Sequence, residues 1–407
     1  MGIARGPNII TDGLVFGHDT GYGIANNNTA TRFYPGEPAV NLFGDTSNAN
    51  ARPNRTEYNT SNWTAYFPKP PEDVGRVYSH TSGSLNSTWS GNSYGYTLIS
   101  YSYLANTTYT LSCWVYVSSN CNITAMHQSM EGTTLTNTTN RHYDLNNKGT
   151  WQQLSISCNS SSVVNGNAII AYPSRSGVTD GSHTGFWAIG GAKLEINTHV
   201  TPYVLGTRSD TASLIDLTRT TNIDVGDASF DSTGQPDLDG TGDFIKASST
   251  HSVTGDITLE AVFNEDSASA PHTTVICTDT GHQYGVKLMS YKNINRYGLW
   301  LGFGSSSHLA MVEETLNNNI TYHLTGSWDQ STGVAKIYLN GVLKSTQSTG
   351  QTSAVSLNEG KVVVGADYHS LSYGLNGKVY VGKVYDKVLT DAEVLQNYKA
   401  YKNRFNI

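Results

Sequence analysis

The sequence predicts an all-β protein of two jelly-roll-type β-sandwiches with one short C-terminal helix, and three observations point that way. Only 14% of residues are charged, while Gly (40) and Tyr (25) are abundant. That balance suits short strands joined by polar turns better than it suits helices. Apolar and polar residues alternate over one stretch after another, as in "TYTLSCWVYVSS", where Leu111, Cys113, Val115 and Val117 share a face. At 407 residues the chain exceeds one ordinary small domain, so two or three are expected.

The elements follow in order. "NIITDGLVFGHDTGYG" offers one apolar strand and then turn residues. "NNNTATRFYPGEPAVNLF", punctuated by Pro35, Gly36 and Pro38, reads as a surface connection. From about Asn41 to Arg208 come strands spaced by polar loops: "YGYTLISYSY", "TYTLSCWVYVSS", "TWQQLSISCNSS", "NAIIAY" and "GFWAIGGAKLE". Short strands at this spacing with no helix among them predict a sandwich. Beyond Arg208 the strand candidates are "LIDLTRTTNIDV", "DFIKASS", "DITLEAVF", "YGLWLGFG", "ITYHLTGSW" and "VAKIYLNGVLKSTQ". In the last, Asn340-Gly341 supplies the positive φ angles of a two-residue hairpin turn. "KVVVGADYHSLSYGLNGKVYVGKVY" adds two strands around an aromatic loop. In "TDAEVLQNYKAYKNRF" the period changes: Thr390 and Glu393 form a capping-box signature, and Val394, Leu395 and Tyr398 share a helical face.

Several function classes are disfavoured at this level. A net charge of -7 gives no basic footprint for nucleic acid. No apolar run reaches membrane-spanning length, so no membrane insertion is expected. "MGIARGPNII" lacks the basic and apolar regions of a signal peptide. Of four cysteines, Cys113 and Cys158 lie in strand patterns and could form a disulfide, or stay as buried thiols.

The quoted strands also carry a family resemblance. "YTLSCWVYVSS", "GTWQQLSISC" and "GFWAIGGAKLEINTHVTPYVLGTRS" resemble the jelly-roll carbohydrate-binding-module domain of phage virion proteins. "DLDGTGDFIKA", "ITYHLTGSWDQSTGVAKIYLNGVLKST" and "LNGKVYVGKVYDKVLTDAEVLQNYKAYKNRF" resemble the laminin-G-like branch of the concanavalin A-like lectin sandwiches. "GPNIITDGLVFGHDTGYG" resembles the first strand of the same lectin-like proteins, which recur in tailed phages. There the first strand leads through "YPG" directly into a "DLS"-like stretch; here "RFYPG" ends at Gly36 and "LIDLTRT" waits until Leu214. The resemblance therefore implies a discontinuous lectin-like sandwich, residues 1–40 and 209–407, interrupted by a carbohydrate-binding-module-like jelly roll at 41–208.

Candidate sites are weighed against packing. The glucanase pattern of alternating carboxylates on one strand is absent: Glu260 and Glu265 are separated by an odd number of residues, and Glu313-Glu314 is adjacent. No catalytic residue is assigned, and the chain is expected not to be an enzyme. "PDLDGTGDF" groups Asp237, Asp239 and Asp243, but it fits a turn better than a calcium loop, whose closing Glu is missing. No cofactor is expected; calcium there is the alternative left open. In the module-like part, "AIGGA" places Gly190 and Gly191 where the family often carries a calcium-binding Asp. Sugar contacts fall to loop aromatics: Trp63, Tyr66 and Trp89 in the first module, and Tyr368, His369 and Tyr373 in the second. Trp114, Trp151, Trp187, Trp300 and Trp328 lie in strand patterns and are assigned to cores or strand ends, and His323 to strand packing.

The expectation is a phage virion surface protein, a tail-fibre or capsid appendage that adheres to host glycans. It would be assembled in the host cytoplasm and have other virion proteins, a host surface glycan and copies of itself as partners. A capsid decoration or cement protein that uses lectin-like folds only for protein packing is the alternative, and a polysaccharide depolymerase the third.

Overall fold

The computed structural model describes residues 7–20, 37–43, 55–59, 68, 70, 74, 76–80, 97–174, 184–204, 206–226, 228–231, 233–267, 272–279, 281, 283–291, 294–367 and 373–407. Among them the chain is strand-rich, in several sheets, with one long helix at the C-terminus. The predicted all-β class holds. The chain divides into two compact units, one of residues 1–37 and 209–407, the other of residues 38–208.

The first unit begins with β1 (Leu14–Asp19) and resumes after the second. The second contains β2 (Arg55–Asn59), β3 (Arg76–His80), β4 (Thr97–Tyr103), β5 (Thr107–Val117), β6 (Ala125–Glu131), β7 (Trp151–Ser160), β8 (Val164–Ser174) and β9 (Trp187–Glu195). One of its sheets runs β2-β3-β9-β5-β7 and the other β4-β8-β6, each extended by a two-residue strand. The predicted alternation is realised in the β5–β7 ladder, which pairs Leu154 with Cys113 and Ile156 with Leu111. Leu111, Cys113, Val115, Val117, Leu154, Ile156 and Cys158 all join the core. Each large aliphatic side chain there is worth roughly 1.5–3 kcal/mol of burial. Cys113 and Cys158 are free thiols, because the register sets Cys158 opposite Tyr109. At the ends of this unit Ala39–Val40 pairs with Thr207–Arg208, and the Asn41 N–H donates to the Gly206 carbonyl at 2.8 Å.

The remaining strands belong to the first unit: β10 (Pro236–Asp239), β11 (Ile245–Ala247), β12 (Ile257–Ser267), β13 (Thr273–Cys277), β14 (Val286–Tyr291), β15 (Arg296–Gly302), β16 (Ser307–Val312), β17 (Thr321–Asp329), β18 (Val334–Leu339), β19 (Val342–Ser348), β20 (Val363–Val364) and β21 (Asn376–Tyr385), followed by α1 (Asp391–Phe405). One sheet runs β10-β21-β12-β17-β18-β19 and the facing sheet β11-β20-β13-β14-β15-β16. Ile257, Leu259, Ala261 and Phe263 from one sheet share a core with Leu288, Tyr297, Leu299 and Leu301 from the other. The Asn340-Gly341 turn has the predicted positive φ at both positions, 49° and 73°, between Leu339 and its partner Val342. By contrast "LIDLTRTTNIDV" is mostly turn, with a strand only at Ile223–Asp224. Asp216 there gathers the N–H groups of Gly17, Thr218 and Thr220, which holds the chain in a tight turn.

β1 pairs antiparallel with β21, from Leu14↔Tyr385 to Asp19↔Val381. β10 pairs with the other end of β21, at Gly377 and Asn376. The two short strands thus share one position in the sheet, end to end. The helix α1 carries the predicted capping box at Thr390 and Glu393. Its buried residues are Val394, Asn397, Tyr401 and Phe405, not the Val394–Leu395–Tyr398 face read from sequence; Leu395 is 38% exposed. Tyr401 and Phe405 settle the matter by packing on Val262, Tyr380 and Val381 of the sheet.

Candidate functional site

Of the predicted sugar-contacting residues, Trp63, Tyr66, Trp89, Tyr368 and His369 lie outside the described residues. Tyr373 is described and half-buried, and it is not alone. Its ring stacks on His272 with centroids 4.0 Å apart and planes at 22°. His272 in turn lies 5.3 Å from Tyr291. Three separate segments supply these rings. His272 immediately precedes β13, Tyr291 closes β14, and the Thr273↔Ser290 rung sets the two next to each other across the hairpin. Tyr373 comes from the loop that leads into β21. Tyr291 is nearly buried and donates its hydroxyl to the Met289 sulfur at 3.2 Å; burial pushes that hydroxyl well above the usual phenol range. It is the fixed base of the stack, with His272 and Tyr373 toward solvent. Sequence reading missed His272 and Tyr291, because both sit at strand ends where an aromatic residue reads as core.

Carboxylates lie on segments that adjoin this stack in sequence or in the sheet. Thr273, next to His272, donates to Glu265 Oε1 at 3.2 Å. Asn376, three residues past Tyr373, pairs with Asp239 of β10 and with Ser267 of β12. Asp239 and Asp266 are exposed and Asp237 half-buried. The amine placed among them is Lys378, which is paired at 2.5 Å with Asp231. Burial, then the charges of Asp266 and Asp231, raise the Asp237 carboxyl above its ordinary range against the pull of Lys378.

Of the three aspartates considered for calcium, Asp239 and Asp243 serve as turn caps, and Asp237 lies near Lys378, Asp266 and Asp231. Asp243 Oδ2 accepts from the Asp239 N–H at 3.0 Å, and Asp239 Oδ1 from the Thr241 N–H at 2.6 Å. Among the described residues no group of three or more His, Cys, Asp or Glu is placed to hold a metal ion.

The carboxylates screened for catalysis are each engaged by neighbouring side chains. Glu260, fully buried, accepts from Tyr385 and Asn397 at 3.1 and 2.9 Å and lies 2.6 Å from His323 Nε2. Burial alone would raise its carboxyl, but Lys383 and His323 outweigh that and hold it below the usual range. Glu313 pairs with Arg296, and Glu314 with Lys344 and Tyr297.

In the second unit Trp187 is core, whereas Trp114 and Trp151 are half-buried on the opposite face of the sheet. There Tyr116 stacks on Phe186 at 5.7 Å, and the Trp151 Nε1–H donates to the Pro68 carbonyl at 2.6 Å. In the first unit Trp328 is core, but Trp300 alternates outward from Leu299 and Leu301.

Comparison with known proteins follows from this geometry. Residues 239–395, within the first unit, match the laminin G-like model of the concanavalin A-like lectin/glucanases superfamily. No curated protein matches the chain. Among solved structures, the binding domain of botulinum neurotoxin serotype D is 19% identical with a TM-score of 0.37, covering 47% of this chain and 49% of that one. A heptameric SAP-like pentraxin from Limulus polyphemus is 17% identical with a TM-score of 0.33, covering 39% and 78%. The Ruminococcus gnavus sialidase CBM40, bound to α2,3-sialyllactose, is 18% identical with a TM-score of 0.30, covering 35% and 82%. The chain spans about half the length of the neurotoxin domain.

Proposed function

We propose that this chain is a glycan-binding adhesion protein displayed on a phage virion, with the Tyr373–His272 stack as one sugar contact. The stack carries the reading: two half-exposed rings, braced by Tyr291, at the loop end of a lectin-like sandwich. Aromatic faces receive the C–H faces of pyranose rings, and neighbouring Asp and Asn side chains can bond sugar hydroxyls. The resemblance of both modules to phage virion proteins supports the location. Other virion proteins and further copies of the chain would then be its partners. The role is binding, without turnover: host polysaccharide incubated with the protein should release no reducing ends.

Adsorption of the purified protein to host surface polysaccharide tests the reading. Tyr373→Ala and His272→Ala should each weaken binding roughly tenfold, since ring stacking is worth about 1 kcal/mol or more, with little change in melting temperature. Unchanged binding in both variants would remove the stack from the site. No glycan binding by the wild type, with the protein located on the capsid by immunogold labelling, would establish the decoration role instead.

A further inference from the structure

We infer that the buried Lys287–Asp367 ion pair positions Tyr373, holding its ring on His272 before any sugar arrives; this rests on the proposed function of the same stack. The pair and the stack lie at the two ends of one hairpin. Lys287 stands near the start of β14, opposite Cys277 of β13, and Tyr291 closes β14 just past the Thr273↔Ser290 rung. Lys287, Met289 and Tyr291 alternate with Val286 and Leu288, which belong to the core, so the three share the outward face of the strand. At a rise of about 3.3 Å per residue, Lys287 and Tyr291 are about 13 Å apart along it. Asp367 accepts from the Lys287 ammonium, which also donates to the Gly281 carbonyl at 2.7 Å. The Cys277 thiol donates to the Ala366 carbonyl at 3.6 Å. The Gly365 N–H donates to the Val275 carbonyl at 2.9 Å, and the Leu375 N–H to the Gly365 carbonyl at 2.7 Å. Six positions beyond Asp367, Tyr373 stacks on His272. Six Cα steps reach at most about 20 Å, so an anchored Asp367 confines where Tyr373 can be.

Energetics divide the work between pair and stack. One ring stack gains less than the ordering of two backbone residues costs, so Tyr373 and His272 do not hold a segment in place by themselves. A buried ion pair adds little net stability over apolar groups of the same shape; what it adds here is a fixed position. A ring placed in advance spares the ligand that ordering cost on binding. Lys287 and Asp367 are thus positioning residues that act through Tyr373 and need not touch the sugar.

The double variant Lys287→Met/Asp367→Leu removes both charges at similar volume, with Tyr373→Ala as the reference. His272 ring resonances, assigned through His272→Gln in the histidine-labelled full chain, report the stack without any ligand. In the double variant they should move from their wild-type positions toward those of Tyr373→Ala, while the first unit keeps a cooperative unfolding transition. Adsorption to host polysaccharide should weaken roughly tenfold, close to the loss in Tyr373→Ala. Asp367→Asn, which keeps the shape of the pair, should move the resonances part of the way, and it decides the matter if the double variant does not fold. Wild-type His272 resonances in whichever of these variants folds overturn the inference, whatever happens to binding. Displaced resonances with wild-type adsorption, where Tyr373→Ala loses it, also overturn it, because the ligand then orders the ring itself. Displaced resonances with adsorption that Tyr373→Ala leaves unchanged support the positioning role and remove the stack as the sugar contact.

Discussion

His18 shows how much one side chain of β1 depends on its surroundings. It is fully buried, with Phe16 at its edge, 6.4 Å between ring centroids. Opposite lies Gly382, where a Cβ would stand 2.9 Å from His18 Nε2. Glycine at 382 is therefore what admits the ring. Neither imidazole nitrogen has a hydrogen-bond partner among the described residues. Burial pushes the imidazole down to about 4, helped by Lys383 and opposed by Asp19 and Asp216.

The folded value lies below the ordinary 6.5, so the folded state prefers the neutral ring. Its stabilisation is complete above pH 6.5 and is lost as pH falls toward 4, by at most about 3 kcal/mol. The melting temperature should fall across that window, and His18→Leu should remove part of the slope. His127 in the other unit is also pushed down to about 4, by burial and His142, so the slope lost in the single variant isolates His18. An unchanged slope would mean that His18 does not titrate with folding. At Glu260 the fold favours the charged form instead, and this contribution too is lost as pH falls; Glu260→Gln should cost about 3–5 kcal/mol, because Lys383 would be left buried without this countercharge.

At the scale of elements, α1 and β1 depend on each other. Arg404 holds Asp19 of β1 with its two terminal guanidinium nitrogens, one at 2.7 Å. The Ile10 N–H donates to Asn397 Oδ1 at 2.8 Å, and Ile10 and Leu14 pack beside Val394 and Leu389. Deleting residues 1–20 should therefore lower the unfolding transition of the first unit and leave that of the second unit in place, as separate calorimetric transitions would report. Loss of the Thr390 cap is a smaller matter. Thr390→Ala should cost about 1 kcal/mol, read from denaturant midpoints. The cap was legible in sequence because it is a local pattern. The buried helical face was not, because Asn397, bonded to Glu260 and Tyr385 of the sheet and to the Ile10 N–H, takes the place of the expected leucine.

At the scale of the whole molecule, the second unit leaves and rejoins the chain through paired segments at 39–40 and 207–208. Ends held this close ask little loop-closure entropy of a short replacement linker. Replacing residues 38–208 by a short Gly/Ser linker should leave a soluble first unit that unfolds cooperatively. A truncated protein that aggregates or melts without cooperativity would show that the first unit needs the second.

The sequence by itself determined what is local. Period-two alternation marked the strands, Asn340-Gly341 the hairpin, Thr390 and Glu393 the helix start, and low charge with abundant Gly and Tyr the all-β class. Each depends on neighbours within a few residues, whose geometry the backbone period fixes. Tertiary structure decided what depends on register between distant segments. It set Tyr373 against His272 and Tyr291, turned Trp114 and Trp151 away from the main core, and separated Cys113 from Cys158. It also put β1 beside a strand more than three hundred residues away. Alternation says that a residue faces one side of a sheet; only the packed sandwich decides which side is core and which strand lies next to it.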